Sequence, residues 1–237
     1  EIYTLSLHDA LPISSLFDLQ VFLDILMAMP WGVWQTLCIS FLSFLGALVL
    51  AFAVAMIDYY DMPLLKGLSR VYLSIFRGTP LIAQMFFLYF GMPVLFPAFR
   101  SLSSYWAGVV SLAMNMGAYM SETLRGALNA VPEGQREAAL TIGMTEGQLM
   151  RRIVLPQALR IAIPPLSNNL IDTIKGSSVV FTVGVVDLMA VAKMKSAVGL
   201  RYFEGYAAAM LMYWLIITFA TRVQRRLELR LSRAYRR

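Results

Sequence analysis

Long apolar blocks without charge dominate the chain. No charged residue occurs in residues 25–57, 78–99, 101–121 or 205–221. A helix of about 20 residues crosses the roughly 30 Å hydrocarbon core of a bilayer. The sequence therefore predicts membrane-spanning helices near residues 31–57, 80–94, 104–124 and 206–221.

A further apolar segment, residues 163–186, is interrupted by polar and helix-breaking residues, so hydropathy alone scores it weakly. The interruptions are Pro164, Pro165, Asn168, Asn169, Asp172, Lys175 and Gly176. We interpret this segment as a fourth span with a polar face. The fold class expected is thus an all-α membrane protein with about five transmembrane helices.

The basic residues orient these spans. Of the 20 Lys and Arg residues, three follow the first span, five follow the third and seven follow the last. Because Lys and Arg are enriched in cytoplasmic loops, we expect that side to be cytoplasmic, with the N-terminus outside and the C-terminus inside. The basic tail from Arg222 is expected to contact anionic membrane lipid.

Composition agrees with a membrane protein and excludes several other classes. Hydrophobic residues make up 59% and charged residues 14% of the 237 residues, against roughly 45–50% and 25% in soluble domains. One cysteine and one histidine allow neither a disulfide framework nor a Cys/His metal site. The net charge of +6 does not indicate nucleic acid as a partner, because the basic residues flank apolar spans.

Residues 1–14 fit none of this pattern. They lack the basic region and small-residue cleavage site of a signal peptide. We expect them to be a non-native or disordered segment, which leaves one transmembrane domain over residues 15–237.

The predicted cytoplasmic loop, residues 131–156, carries its own helix signals. A proline and a glutamate suit the first turn of a helix, and Gly143 suits a left-handed helix end. Thr145 and Gln148 form a capping box for a second helix, which we expect to stop before Pro156. Periodicity alone leaves two interpretations open: a membrane-surface amphipathic hairpin or a docking loop.

The residues of this loop favour the docking loop. They reproduce the EAA motif of ABC-importer permeases at Glu137, Ala138, Ala139, Gly143, Ile153, Leu155 and Pro156. Residues 76–81, 115–125 and 155–169 also resemble the polar amino-acid subfamily, which includes histidine, glutamate, glutamine, arginine and cystine permeases. Residues 164–169 and 201–215 look most like the cystine type.

This resemblance implies a type I ABC importer (MetI-like) fold in a bacterial cytoplasmic (inner) membrane. It implies three kinds of protein partner: ATP-binding cassette ATPase subunits, an extracytoplasmic amino-acid-binding protein, and a second permease copy or a sister permease. The chain has no GxxxxGK[ST] sequence, which is the phosphate cradle of P-loop ATPases. We therefore expect no cofactor in this chain, no catalytic residue, and ATP use by the partner ATPase.

Polar residues at membrane depth are candidates for the substrate pathway because burying them is costly. They are Asn115, Glu122, Asn168, Asn169, Asp172 and Lys175. Pairing within one helix, Glu122 with Arg125 and Asp172 with Lys175, is the competing interpretation. The asparagines could equally form cross-helix hydrogen bonds. A gating or assembly role is a further hypothesis for Arg77, Gly78, Thr79 and Pro80, against simple anchoring at the interface.

Two other functions remain as alternatives. An ion-gradient-driven secondary transporter is disfavoured by the EAA loop and by the absence of inverted repeats. A membrane-embedded enzyme is disfavoured because the sequence has no HExxH or GxSxG motif and no histidine near any span.

Overall fold

The structure, a computed structural model, describes residues 17–233, so the expectation for residues 1–14 lies outside the described residues. Residues 17–233 form helices and no strand, which confirms the all-α prediction. The helices are α1 (Leu19–Ala28), α2 (Pro30–Tyr59), α3 (Pro63–Gly78), α4 (Leu81–Phe86), α5 (Met92–Leu95), α6 (Ser104–Asn129), α7 (Glu133–Thr141), α8 (Glu146–Leu149), α9 (Leu155–Gly176), α10 (Leu188–Ala197) and α11 (Tyr202–Arg233).

Within residues 17–233, two helices are each long and apolar enough to cross a membrane. They are α2, with a mean hydropathy of 2.6, and residues Tyr202–Arg226 of α11, with 1.4. At 1.5 Å per residue, the 30 residues of α2 extend roughly 45 Å. The predicted spans near 31–57 and 206–221 lie inside these helices, and the span near 104–124 lies inside α6.

The second span is bent. Helix α3 meets residues Leu81–Leu95 at an angle of 113°, and α4 continues through a π turn at Phe87–Gly91 into α5. The bend lies at Thr79, whose backbone is extended (φ −128°, ψ 152°). Proline disfavours the helical conformation in the residue before it, so Pro80 accounts for the break.

The fourth span begins earlier than the sequence indicated. The prediction that a helix stops before Pro156 is wrong, because α8 continues through a π turn at Met150–Val154 directly into α9. The Leu155 N–H bonds the Met150 carbonyl five residues back, and Pro156 occupies the first turn of α9, where its missing N–H costs little.

The outer end of this span is also irregular. Helix α9 is extended by a 3₁₀ turn at Ser177–Val183, which ends at Gly184 with φ 92°. Residues Leu188–Leu200 then run at 50° to it. Residues 163–183 of the span predicted over residues 163–186 therefore belong to a longer helical segment, Glu146–Val183, whereas residues 184–186 lie beyond its end.

Small residues build the contact between α2 and the central helix α6. Ala47, Ala51 and Ala55 recur every fourth residue on α2 and are at most 1% exposed. Such residues let two helix backbones approach closely in a membrane. The Ser43 hydroxyl donates to the Val109 carbonyl of α6 at 3.1 Å. This small, polar face of α2 thus serves helix packing.

A buried carboxylate fastens α1 to α11. Glu204 is 2% exposed, and its Oε1 accepts the Asp18 N–H at 2.9 Å. The Arg201 guanidinium lies 3.4 Å from the same oxygen. The charge of Glu204 is therefore compensated by a cation and a backbone donor, as a buried carboxylate requires.

The start of α10 approaches α2 at Gly32 so closely that a side chain would not fit. A Cβ atom there would lie 2.8 Å from the Leu188 Cα and 2.9 Å from the Asp187 carbonyl oxygen. Four residues along α2, the Thr36 hydroxyl oxygen accepts the Leu188 N–H at 3.2 Å.

We predict that Gly32→Ala destabilises the protein by about 1–3 kcal/mol, because both clashing groups are backbone and overpacking costs that much. Gly67→Ala is the matched control, since a Cβ atom at Gly67 meets nothing within 4 Å and alanine favours a helix by about 0.5–1 kcal/mol. Thermal unfolding of the purified protein in detergent measures both. Equal melting temperatures for the two variants would contradict the close approach.

Candidate functional site

Residues 131–156 fold as a helix, a tight turn and a second helix. Helix α7 ends in a left-handed turn at Gly143, with φ 84°. The Gly143 N–H bonds the Leu140 carbonyl at 3.0 Å, and the Met144 N–H bonds the Ala139 carbonyl at 3.1 Å. This pair of bonds is the Schellman motif, in which glycine is preferred at the left-handed position.

The second helix starts with the predicted capping box. The Gln148 N–H donates to the Thr145 hydroxyl oxygen at 3.3 Å, and the Thr145 N–H donates to the Gln148 side chain at 3.0 Å. The hairpin conformation is therefore fixed by hydrogen bonds within it.

An ion pair joins the two arms of the hairpin. Arg136 on α7 lies 3.2 Å from Glu146 on α8. The hydrogen bond that Arg136 donates to Glu146, followed by the negative charge of Glu146, raises the pKa of the Arg136 guanidinium. Both side chains are about half exposed, so water screens the pair and it contributes at most about 1 kcal/mol.

The hairpin packs onto the helix bundle through one face. Ala139, Leu149 and Val154 are at most 2% exposed and belong to the same apolar cluster as the alanine face of α2. The Gln157 side chain of α9 donates to Gln135 of α7. The Arg136 guanidinium lies 5.8 Å from the ring centre of Tyr59 at the end of α2, within cation–π range. The hairpin is thus attached to both α2 and α9.

An open groove of about 620 Å³ lies between α7 on one side and the π turn and start of α9 on the other. Its walls include Gln135, Ala138, Ala139, Ile153, Pro156 and Gln157. Ile142 stands at its edge with 78% of its side chain exposed. Four EAA residues therefore line a single concave surface, whereas Glu137 is exposed beside it and Leu155 packs against the apolar cluster.

Side-chain amides support the bend at residues 76–81. Asn115 of α6 donates to the Phe76 carbonyl and to the Gln84 side chain, both at 3.0 Å. Gln84 in turn donates to Phe76 and Thr79 carbonyl oxygens, each at 3.0 Å. These bonds satisfy carbonyl groups that the break leaves without a helical N–H partner. Asn115 therefore holds the bend in place.

An ionic network links the bend to α6 and α2. Arg77 lies 3.2 Å from Glu122 on α6, and the Arg125 Nε donates to the other Glu122 oxygen at 3.1 Å. Arg125 also approaches Asp58 at the end of α2, at 4.0 Å. Glu122 therefore forms ion pairs with two arginines, one on its own helix and one on α3.

The other candidate pathway residues lie on α9 in separate contacts. Asp172 pairs with Lys175 at 3.3 Å, and both side chains are more than half exposed. The Asn168 oxygen accepts a hydrogen bond from Gln224 of α11 at 2.9 Å, and the Asn169 carbonyl accepts one from Thr173. In residues 17–233 no hydrogen bond or ion pair joins these four residues to Asn115 or Glu122.

The side-chain amides Gln84, Gln135 and Gln157 of the site were not predicted from the sequence. Gln84 had a usable signal, because it is an amide inside an otherwise apolar span, where polar side chains are costly and find partners. Gln135 and Gln157 had none, because their contact joins positions 22 residues apart. Within residues 17–233 no group of three or more metal-ligating side chains is assembled.

Comparison with known proteins places this geometry in a family. Residues 47–233 match the family model described as the binding-protein-dependent transport system inner membrane component. The match covers the hairpin, the bend and the last helix.

Curated relatives match most of the chain. The probable amino-acid ABC transporter permease protein PatM of Vibrio harveyi is 39% identical over 92% of this chain and 98% of its own length. The L-cystine transport system permease protein TcyB of Bacillus subtilis (strain 168) is 37% identical over 85% of this chain and 86% of its own. The glutamine transport system permease protein GlnP of Escherichia coli (strain K12) is 33% identical over 85% of this chain and 91% of its own length.

Solved structures agree in fold. A crystal structure of an amino acid ABC transporter with histidines has a TM-score of 0.83 at 29% identity, over 90% of this chain and 99% of that chain. An inward-facing MetNI methionine ABC transporter has a TM-score of 0.71 at 20% identity, over 90% and 97%, which supports the fold alone.

We predict that Asn115→Ala and Gln84→Ala are coupled. Hydrogen bonds between helices in membranes average about 0.6 kcal/mol, and residues within one network are not additive. Each single variant should lower the free energy of unfolding by about 1 kcal/mol, and the double variant by less than the sum. Unfolding in mixed detergent micelles measures the cycle.

Asn168→Ala is the matched control for this cycle, because Asn168 is exposed and bonds Gln224 instead of the bend. The losses of unfolding free energy caused by Asn168→Ala and Gln84→Ala should add up in the double variant. Strict additivity between Asn115→Ala and Gln84→Ala would show that the amides do not support the bend together.

Proposed function

The chain belongs to the family of binding-protein-dependent transport system inner membrane components, and we propose that, as the permease subunit of an amino-acid ABC importer, it forms the path for a polar amino acid of the cystine type. The observation that carries this proposal is the hairpin of residues 131–156, four of whose EAA residues line one groove. The amino-acid permeases among its relatives support the substrate class.

The hairpin groove is the proposed docking site for an ATPase subunit. Its open shape, its apolar wall and the exposed Ile142 suit a short helix or loop from a partner. The residues proposed to make this contact or to shape it are Glu137, Ala138, Ala139, Gly143, Ile153, Leu155 and Pro156. ATP is then bound and hydrolysed by the partner subunits, and their closure moves the hairpin as a rigid body.

The remaining partners follow from the family. An extracytoplasmic amino-acid-binding protein delivers the solute, and a second permease copy or a sister permease completes the pore. The hairpin lies on the side of the membrane where most Lys and Arg residues are predicted. It includes Arg151 and Arg152. This distribution supports a cytoplasmic hairpin and C-terminus with the N-terminus outside.

The candidate pathway residues divide by their contacts. Asp172 and Lys175 are exposed on α9 and paired with each other, and Asn168 is exposed and bonded to Gln224 of α11, so a zwitterionic solute can reach all three by exchanging these contacts. Asn115 is buried and used at the bend, so its role is to position residues 77–80. We assign the gating movement to that bend.

An ion-gradient-driven secondary transporter was the alternative. The family match and the ABC transporter permeases among the relatives favour the ABC importer over it.

Uptake into vesicles tests the proposal. We predict that the chain, reconstituted with its ATPase and binding protein, takes up labelled L-cystine only when ATP is present on the ATPase side. L-Arginine and L-glutamine in parallel vesicles report the solute preference. Uptake driven by a proton or sodium gradient without ATP would overturn the proposed mechanism, and ATP-driven uptake of another amino acid would overturn only the cystine assignment.

We predict that Gly143→Asp uncouples ATP hydrolysis from uptake. A side chain at φ 84° strains the turn, and this changes the angle between α7 and α8. Gly147→Asp is the matched control, because Gly147 is exposed in helix α8 and does not have a positive φ. The amino acid transported per ATP should fall several-fold in the first variant and stay near wild type in the second. Equal ratios would contradict the proposed role of the turn.

A further inference from the structure

A pocket of about 230 Å³ lies between the ends of α2 and α6 and the middle of α3. Its charged and hydroxyl walls are Asp58, Ser69, Arg70, Ser121, Glu122 and Arg125. It is separate from the hairpin groove, with which it shares no lining residue. This volume lies below the roughly 300–1,000 Å³ of pockets for drug-sized ligands. The pocket therefore suits a smaller molecule, of amino-acid size.

The charges in this pocket are unequally compensated. Glu122 already accepts Arg77 and Arg125. Asp58, in contrast, has its nearest cations, Arg125 and Lys66, only at 4.0 Å, which is too long for a hydrogen bond. Asp58 therefore keeps acceptor capacity.

Arg70 is the complementary group. Among the described residues 17–233, no carboxylate lies within 4.0 Å of its guanidinium. Five N–H donors in a fork are thus available, a geometry that suits a carboxylate.

The two serines add acceptors. The Ser69 hydroxyl donates to the Lys66 carbonyl at 3.0 Å, and the Ser121 hydroxyl donates to the Ala118 carbonyl at 2.9 Å. Because each proton is used within its own helix, the oxygens face the pocket as acceptors only. Two such oxygens and Asp58 match the three donors of an ammonium group.

We propose that this pocket binds the ammonium and carboxylate groups of a free amino acid from the side that the basic residues predict to be cytoplasmic. The ammonium lies against Asp58 and the serine oxygens, and the carboxylate against Arg70. Val54 and Leu73 also line the pocket, and they provide an apolar surface for the side chain of the bound amino acid. The proposal rests on the proposed amino-acid transport, since it makes the transported class of solute a ligand on the release side.

The balance of charge separates this ligand from a phosphate. Two guanidinium groups and two carboxylates line the pocket, so a lipid phosphate or inorganic phosphate would be repelled by Asp58 as it met Arg70. A zwitterion satisfies both. A bound amino acid also bridges three helices, α2, α3 and α6, and so stabilises the arrangement in which α3 lies against α6.

Binding of labelled L-glutamine to the permease–ATPase complex in nanodiscs, without the binding protein, tests the site. Loss of one charge-assisted contact should weaken binding at least about tenfold in Arg70→Gln and in Asp58→Asn. Arg222→Gln, an exposed arginine of α11 outside the pocket, is the matched control and should bind within about twofold of wild type.

Derivatives of the ligand test the same contacts in the unchanged protein. L-Glutaminamide, which lacks the carboxylate, and N-acetyl-L-glutamine, which lacks the ammonium, should each bind at least about tenfold more weakly than L-glutamine. Arg70→Gln should not weaken binding of the amide further. Competition by inorganic phosphate, or L-glutamine binding that is equal in wild type and Arg70→Gln, would overturn the site.

The outcome is separable from that of the proposed function. If uptake is ATP-driven but binding does not depend on Arg70, the proposed pocket is wrong and the transport function stands. If binding depends on Arg70 but no ATP-driven uptake occurs, the proposed pocket stands and the transport function is wrong.

Discussion

The need to satisfy every backbone polar group inside a bilayer constrains this structure most. Hydrocarbon offers no partner for a carbonyl released from a helix, so a break is tolerated only where protein groups replace the lost bond. At Thr79 the replacement comes from Gln84 and Asn115. At Pro156, in the hairpin that is predicted to lie outside the bilayer, a π turn carries the helix past the proline, and the Leu155 N–H bonds the Met150 carbonyl. The bends of the chain therefore lie where amides or altered helix turns can support them.

A continuous helical path connects the hairpin to the membrane helices. Because α8, the π turn and α9 form one continuous path from Glu146 to Gly176, displacement of the groove is passed on to the α9 segment that carries Asn168, Asp172 and Lys175. The buried contact of Ala139 with the cluster below it keeps α7 from moving alone. A hairpin held only by its exposed Arg136–Glu146 ion pair would be too weakly attached for this.

How much the sequence could predict depended on the range of the interaction. Gly143, Thr145 and Gln148 were found because a cap is made by residues a few positions apart. The long apolar helices were found because hydropathy is also a local property. Pro156 was misplaced because a proline stops a helix in isolation, whereas here the preceding π turn accommodates it. The partners of Asn115 could not be predicted, since they lie 31 and 39 residues away.

Glu122 shows why residue type alone does not assign a role at membrane depth. Its carboxylate accepts Arg125 from its own helix and Arg77 from α3, so the two interpretations that the sequence left open, pairing and lining a path, are not exclusive. Pairing with Arg125 compensates the charge within α6, and the second contact ties α6 to the bend. A solute that competed for Glu122 would have to displace two guanidinium groups, whereas Asp58 has its nearest cations only at 4.0 Å. The unequal compensation of charge, more than the charge itself, therefore indicates where a zwitterion can bind.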